Sequence, residues 1–144
     1  MFIVVPTEKR KLDMKEENTT LEAGGKVDQG ALAKEKSWLI LMDLIPALAR
    51  GDVKAVGEVV WKMQTLGSKA TEIAAHGKDI FPCMEYLYKN VEGVAVVGMS
   101  SIGPAVVVIT KDSKDKLEQE LKQFPMKISF VTKVDNHGHV VNKA

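Results

Sequence analysis

The residues most able to do chemistry sit between two apolar runs, in Gly98-Met99-Ser100-Ser101-Ile102-Gly103-Pro104. Ser100 and Ser101 place two hydroxyls beside a row of backbone N–H groups. Gly98 and Gly103 allow φ > 0 or a close approach of the backbone to another group. Small residues of this kind build ordinary hairpin turns. They also build concave nests of backbone N–H groups that hold anions. Residue type alone leaves both readings open: a plain hairpin or a ligand-touching surface.

Other candidates carry weaker patterns. Ser100 lacks the second glycine that a nucleophile elbow needs two residues after its serine, so it does not read as a catalytic serine. Cys83 is the single cysteine, which excludes an intrachain disulfide and suits a reducing compartment. No histidine stands near it in a nucleophile signature, and a lone cysteine reads as a small core hydrophobe. His137 and His139 flank Gly138, but only Asp135 accompanies them, and a zinc site takes three or four ligands; no metal site is expected. His76 precedes Gly77 at a helix end, where the helix dipole favours a polar or positive group. No phosphate-binding P-loop, dinucleotide fingerprint or HExxH motif occurs.

The elements that must position these residues follow from periodicity. Val94–Val97 and Ala105–Ile109 are β-branched runs and read as buried strands around the glycine–serine turn. Phe2–Val5, stopped by Pro6, is a strand that opens the chain. Thr7–Gln29 is polar and charged and reads as a long connection. From Ala31 to Arg50, Leu32, Trp38, Leu41, Met42, Ile45, Leu48 and Ala49 recur at helical spacing and mark one apolar face; Pro46 should kink or restart that helix. Gly51 stops it and Asp52 caps the next helix, whose stripe is Val53, Val56, Val60, Met63 and Leu66. The one- or two-residue link makes the two helices an antiparallel pair. Ser68–His76 and Phe81–Asn90 read as further helices. Asp112 or Ser113 caps a helix carrying Leu117, Leu121 and Phe124, ended by Pro125. Lys127–Val134 alternates as a half-buried strand with Ile128 and Phe130 inward. Asp135–Gly138 reads as a turn and His139–Val141 as a last short strand.

The order strand, helices, strand, strand, helix, strand gives an α+β fold: a small antiparallel sheet of the ferredoxin-like, split βαβ type with several helices packed on one face. A chain of 144 residues fits one domain, residues 1–144, with room for a hydrophobic core. Twenty Lys and Arg against 19 Asp and Glu leave a net charge of +1, so no basic surface argues for nucleic acid. The longest apolar run, Trp38–Ala49, is too short to span a bilayer and is broken by Asp43 and Pro46. These features suit a cytoplasmic protein with no membrane contact.

The segment Val97–Val107 resembles the third motif of the GHMP kinase superfamily, a serine- and glycine-rich turn followed by a strand. Its double serine and Gly-Pro resemble more narrowly the archaeal β-ribofuranosylaminobenzene 5′-phosphate synthases. Leu39–Glu58 is similar to the same family's pattern of an "LLPAL" helix, a Gly-Asp link and a "GE" helix. The resemblance runs from Phe2 to Val134 and covers only the C-terminal domain of such proteins. The family's N-terminal P-x-x-x-G-L-G-S-S segment has no counterpart here, and Ala105 stands where many members have Thr.

The resemblance implies a reaction of 4-aminobenzoate or 4-hydroxybenzoate with phosphoribosyl pyrophosphate in tetrahydromethanopterin synthesis. It implies phosphate or substrate contacts from Gly98, Met99, Ser100, Ser101, Ile102 and Gly103, and no activity for this chain alone. The expected partners are a phosphorylated small molecule, an N-terminal domain or partner chain, and a second copy in a homo-oligomer. Trp38 or Trp61 would mark an interface with the missing domain, with at least one of the two expected in the core. No cofactor is expected on this chain alone; Mg2+ would enter with a phosphorylated substrate in the assembled enzyme. Two other expectations stand beside this one: a free-standing small-molecule-binding or dimerisation module, and the C-terminal part of a small-molecule kinase of the superfamily.

Overall fold

The computed structural model describes residues 1–8 and 12–133. The turn and last strand expected after Val134, with His137 and His139, lie outside the described residues.

Four strands form one antiparallel sheet: β1 (Phe2–Pro6), β2 (Val94–Met99), β3 (Val106–Thr110) and β4 (Met126–Val131), in the order β2-β3-β1-β4. β1 pairs with both β3 and β4, and β2 with β3. Placing the first strand between the third and fourth is the split βαβ arrangement read from the sequence. Seven α-helices accompany the strands among the described residues: α1 (Met14–Val27), α2 (Ala31–Trp38), α3 (Ile45–Arg50), α4 (Val53–Gln64), α5 (Gly67–Ala75), α6 (Ile80–Asn90) and α7 (Lys114–Leu121), with a π-helical segment at Leu39–Leu44.

The core lies between one face of the sheet and the helices. Phe2, Val4, Val97, Met99, Val106 and Val108 supply the sheet side. Ile73 of α5, Ile80, Met84 and Leu87 of α6, and Leu117 and Leu121 of α7 supply the other. Trp61 of α4 stacks on Tyr88 and Phe81 of α6 at centroid separations of 4.7 and 5.8 Å, which ties α4 to the core helix beside it.

Two local expectations are corrected. The stretch Thr7–Gln29 contains a 14-residue helix, α1. It has almost no apolar stripe, so periodicity misses it, but Asp13 and Glu16 close a reciprocal capping box at its start. Thr20 and Gly24 are buried, and Gly24 lets α1 approach Ser68 at the start of α5.

The apolar face of residues 31–50 stays largely exposed. Leu39 and Ala47 point inward, whereas Trp38, Leu41, Met42, Ile45 and Leu48 are exposed, Trp38 at 64%. The helix is irregular just before Pro46. A proline ring clashes with the carbonyl four residues earlier. Here the Ile45 N–H bonds Ile40 O, and the wider turn absorbs the extra residue. The stripe is exposed on both sides of that turn. On α4 the buried side chains are Val59 and Gln64; Val56, Val60 and Met63 are half-buried and Val53 is exposed.

Phe130 is exposed because β4 bulges. Ile3 pairs with Phe130 but Val4 with Ile128, so Ser129 is an extra residue and the alternation reverses across it. Ile128 stays inward, while Phe130 turns to the opposite face.

Asp28 pins the helical insertion together. Leu66, at the cap position of α5, has no side-chain oxygen to offer. Asp28 instead accepts from the Ser68 N–H at 2.8 Å and from Lys36 Nζ at 2.6 Å. Burial works to raise the Asp28 pKa, but the hydrogen bonds from Lys36 and Ser68 outweigh it and hold it at about 2, against an ordinary 3.8. The Asp28→Asn variant is expected to lose about 1 kcal/mol at pH 7, since the pair is partly solvated. A carboxyl whose pKa is lower folded than unfolded stabilises fully above the unfolded value. The difference between wild type and variant should therefore persist above about pH 4 and vanish as pH falls toward 2, measured by urea denaturation across that range.

Candidate functional site

The turn between β2 and β3 is a six-residue loop, because the last strand pair is Met99 with Val106. The structure divides the candidate residues in two. Gly98 and Met99 are the buried end of β2. Ser100 and Ser101 are exposed, and Ile102 and Gly103 are half-buried. Gly98 lies against Val60 and Gln64, where an added Cβ would sit 3.2 Å from Val60 Cγ1.

The loop's hydrogen bonds are one-sided. Ser100 N–H donates to Ala105 O at 2.8 Å, and Gly103 N–H to Ser100 O at 2.9 Å. Lys69 Nζ donates to Ser101 O at 2.5 Å and also bonds Glu72 Oε2. His76 Nε2 lies 2.5 Å from Ile102 O. The carbonyls of Ser100, Ser101 and Ile102 are thus all engaged within the protein. The amides of Ser101 and Ile102 have no partner among the described residues. In a trans peptide the C=O and N–H point to opposite sides. The Ile102 N–H therefore points away from Lys69, and the Ser101 N–H away from the Gly103 amide that holds Ser100 O. Ser101 adopts φ 49°, a positive value that residues other than glycine seldom take. The result is two adjacent free N–H groups flanked by two exposed hydroxyls, an arrangement suited to an anion.

Gly103 is fixed by space as well as by its φ of 95°. A Cβ there would meet Met99 Sδ at 2.5 Å and His76 Nε2 at 2.7 Å. The loop lies directly on the imidazole.

Three supporting residues were not legible as site residues: Gln64, Lys69 and His76. Gln64 Oε1 accepts from the buried Met99 N–H at 2.8 Å. His76 caps α5, as its position before Gly77 suggests, and is also 3% exposed and bonded to the loop. Cys83 is buried in the core, and burial pushes its thiol up to about 12, so it is no nucleophile near neutral pH. Among the described residues no three His, Cys, Asp or Glu side chains converge to hold a metal ion. Among the described residues no helix is long and apolar enough to cross a membrane.

Fold and loop together define a split βαβ domain with a helical insertion and a serine–glycine hairpin loop. No family model matches the chain. It is similar to proteins named β-ribofuranosylphenol 5′-phosphate synthase: 30% identical over 110 residues to that of Archaeoglobus fulgidus, covering 73% of this chain and 33% of the relative. The Methanocaldococcus jannaschii protein of that name is 29% identical over 107 residues, 72% of this chain and 31% of the relative. That of Methanothermobacter thermautotrophicus is 36% identical over 76 residues, 53% of this chain and 22% of the relative. The resemblance read from the serine turn and the helix pair is thus to this kind of synthase, and the chain spans about a third of the two relatives it matches over the longest stretches.

Proposed function

We propose that this chain is the C-terminal part of a cytoplasmic synthase that joins a phosphorylated ribose to an aromatic acid, with the loop Ser100–Gly103 binding a phosphate group of the sugar donor. Gly98 and Met99 serve that loop from beneath. The observation that carries the reading is the pair of free amides at Ser101 and Ile102 beside two exposed hydroxyls. The similar synthases are named for a β-ribofuranosylphenol 5′-phosphate product, and the substrates proposed for it are 4-hydroxybenzoate and phosphoribosyl pyrophosphate. A bond forms between ribose C1′ and the ring carbon that bore the carboxylate, and CO2 and pyrophosphate leave.

One third of a synthase does not surround its substrates. The remaining contacts come from a segment corresponding to the other two-thirds of the relatives, for which the exposed Trp38, Leu41, Met42, Ile45 and Leu48 offer an apolar seat. The chain alone is therefore inactive.

Two measurements test this. Titration of phosphoribosyl pyrophosphate into the 15N-labelled chain should give saturable shifts centred on the amides of Ser101 and Ile102; no shift at millimolar ligand overturns the loop's role. Carboxyl-labelled 4-hydroxybenzoate should release no CO2 with this chain alone, and release would overturn the partial-enzyme reading.

A further inference from the structure

We infer that Lys69 and His76 are positioning residues that hold the loop in its anion-binding form; this rests on the reading of the loop above. Each acts on one peptide group. Lys69 Nζ holds Ser101 O, which sets the direction of the Ile102 N–H on the same peptide plane. His76 Nε2 holds Ile102 O, which sets the direction of the Gly103 N–H and lets it close onto Ser100 O. That closure in turn points the Ser101 N–H outward. Two side chains of one helical segment, seven residues apart, thus fix both free amides.

Each side chain is itself constrained. Lys69 is held by Glu72, whose residue is 8% exposed, so the ammonium is already neutralised and acts through geometry more than as a counter-ion to the ligand. A carbonyl only accepts, so Nε2 carries the hydrogen and Nδ1 is the bare nitrogen. Nδ1 is buried with no partner among the described residues, which favours this tautomer over one with a buried N–H to satisfy. Gly103 completes the fit, since any Cβ would displace the ring.

The test uses the whole chain, inorganic pyrophosphate as probe, and paired variants. Gln at position 76 keeps an N–H donor at the reach of Nε2, while Asn stops short. Arg at 69 keeps a donor for Ser101 O, while Met has none. Affinity should stay within about twofold for His76→Gln and Lys69→Arg, and weaken about five- to tenfold for His76→Asn and Lys69→Met, the worth of one lost hydrogen bond. Lys69 lies near the surface, so Lys69→Met decides the matter if His76→Asn does not fold. Imidazole 15N shifts of the wild type should show a protonated Nε2 and a bare Nδ1.

Equal affinity across all variants, or a protonated Nδ1 with bare Nε2, overturns the positioning roles. Absence of pyrophosphate binding by the wild type instead overturns the loop as an anion site and removes the ground for both residues.

Discussion

Gly57→Ala is expected to destabilise the domain by about 3 kcal/mol, the upper end of overpacking costs. A methyl at this position would overlap the Ala95 carbonyl oxygen, with the Ala95 carbonyl carbon only 2.9 Å away. Both obstacles are backbone, so no rotamer change relieves them. The contact exists because β2 is an edge strand and α4 lies along that edge. Ala95 is also the irregular residue where the β2–β3 register shifts between Val94 and Val96. Its carbonyl is therefore free to face the helix. An edge strand exposes unpaired backbone groups, and a covering helix is one way to protect them. Only a glycine lets α4 come close enough. Gly25→Ala in α1 is the control: an added Cβ there meets nothing within 4 Å. It should be neutral or stabilise by up to about 1 kcal/mol through helix propensity. Urea denaturation of the two variants reads the difference, and a cost below 1 kcal/mol for Gly57→Ala would refute the close approach.

Most of the fold was legible because its signals are local. The β-branched runs, the stop at Gly51, the cap at Asp52 and the serine cap at Ser113 each depend on residues within one turn of one another. The failures have non-local or irregular causes. Helix α1 is held by burial of Thr20 and Gly24 against a partner helix, not by an apolar stripe. The apolar face of residues 31–50 was legible from its period, but a period does not say what covers a face, and this one stays largely exposed. Phe130 was read at a period of two, and the bulge at Ser129 breaks that period. The loop itself was visible as a cluster of small residues. Its supports were not, since Gln64, Lys69 and His76 reach it across sequence separations of 35, 32 and 26 residues. No spacing rule connects a lysine in one helix to a carbonyl in a distant hairpin.

Gln64→Leu should cost about 2 kcal/mol and loosen the base of the loop. Gln64 is 7% exposed, and its Oε1 takes the Met99 N–H, the last backbone donor of β2 before the loop. Leucine fills nearly the same volume, so the loss is of the acceptor and not of packing. A buried amide left without a partner costs its full desolvation. Gln64→Glu separates the two requirements. It keeps an acceptor for the Met99 N–H but places a charge in a buried position, so the variant should be more stable at low pH, where the carboxyl is neutral. Amide exchange distinguishes a local effect from global destabilisation. In Gln64→Leu, protection at Met99 should fall by more than the loss at Val108, in the sheet interior. Equal losses at both would mean that Gln64 contributes to stability without holding the loop. The unequal loss follows from position: Met99 is the hinge between the β2–β3 ladder and Ser100–Gly103, and Gln64 is the side chain that ties this hinge to α4.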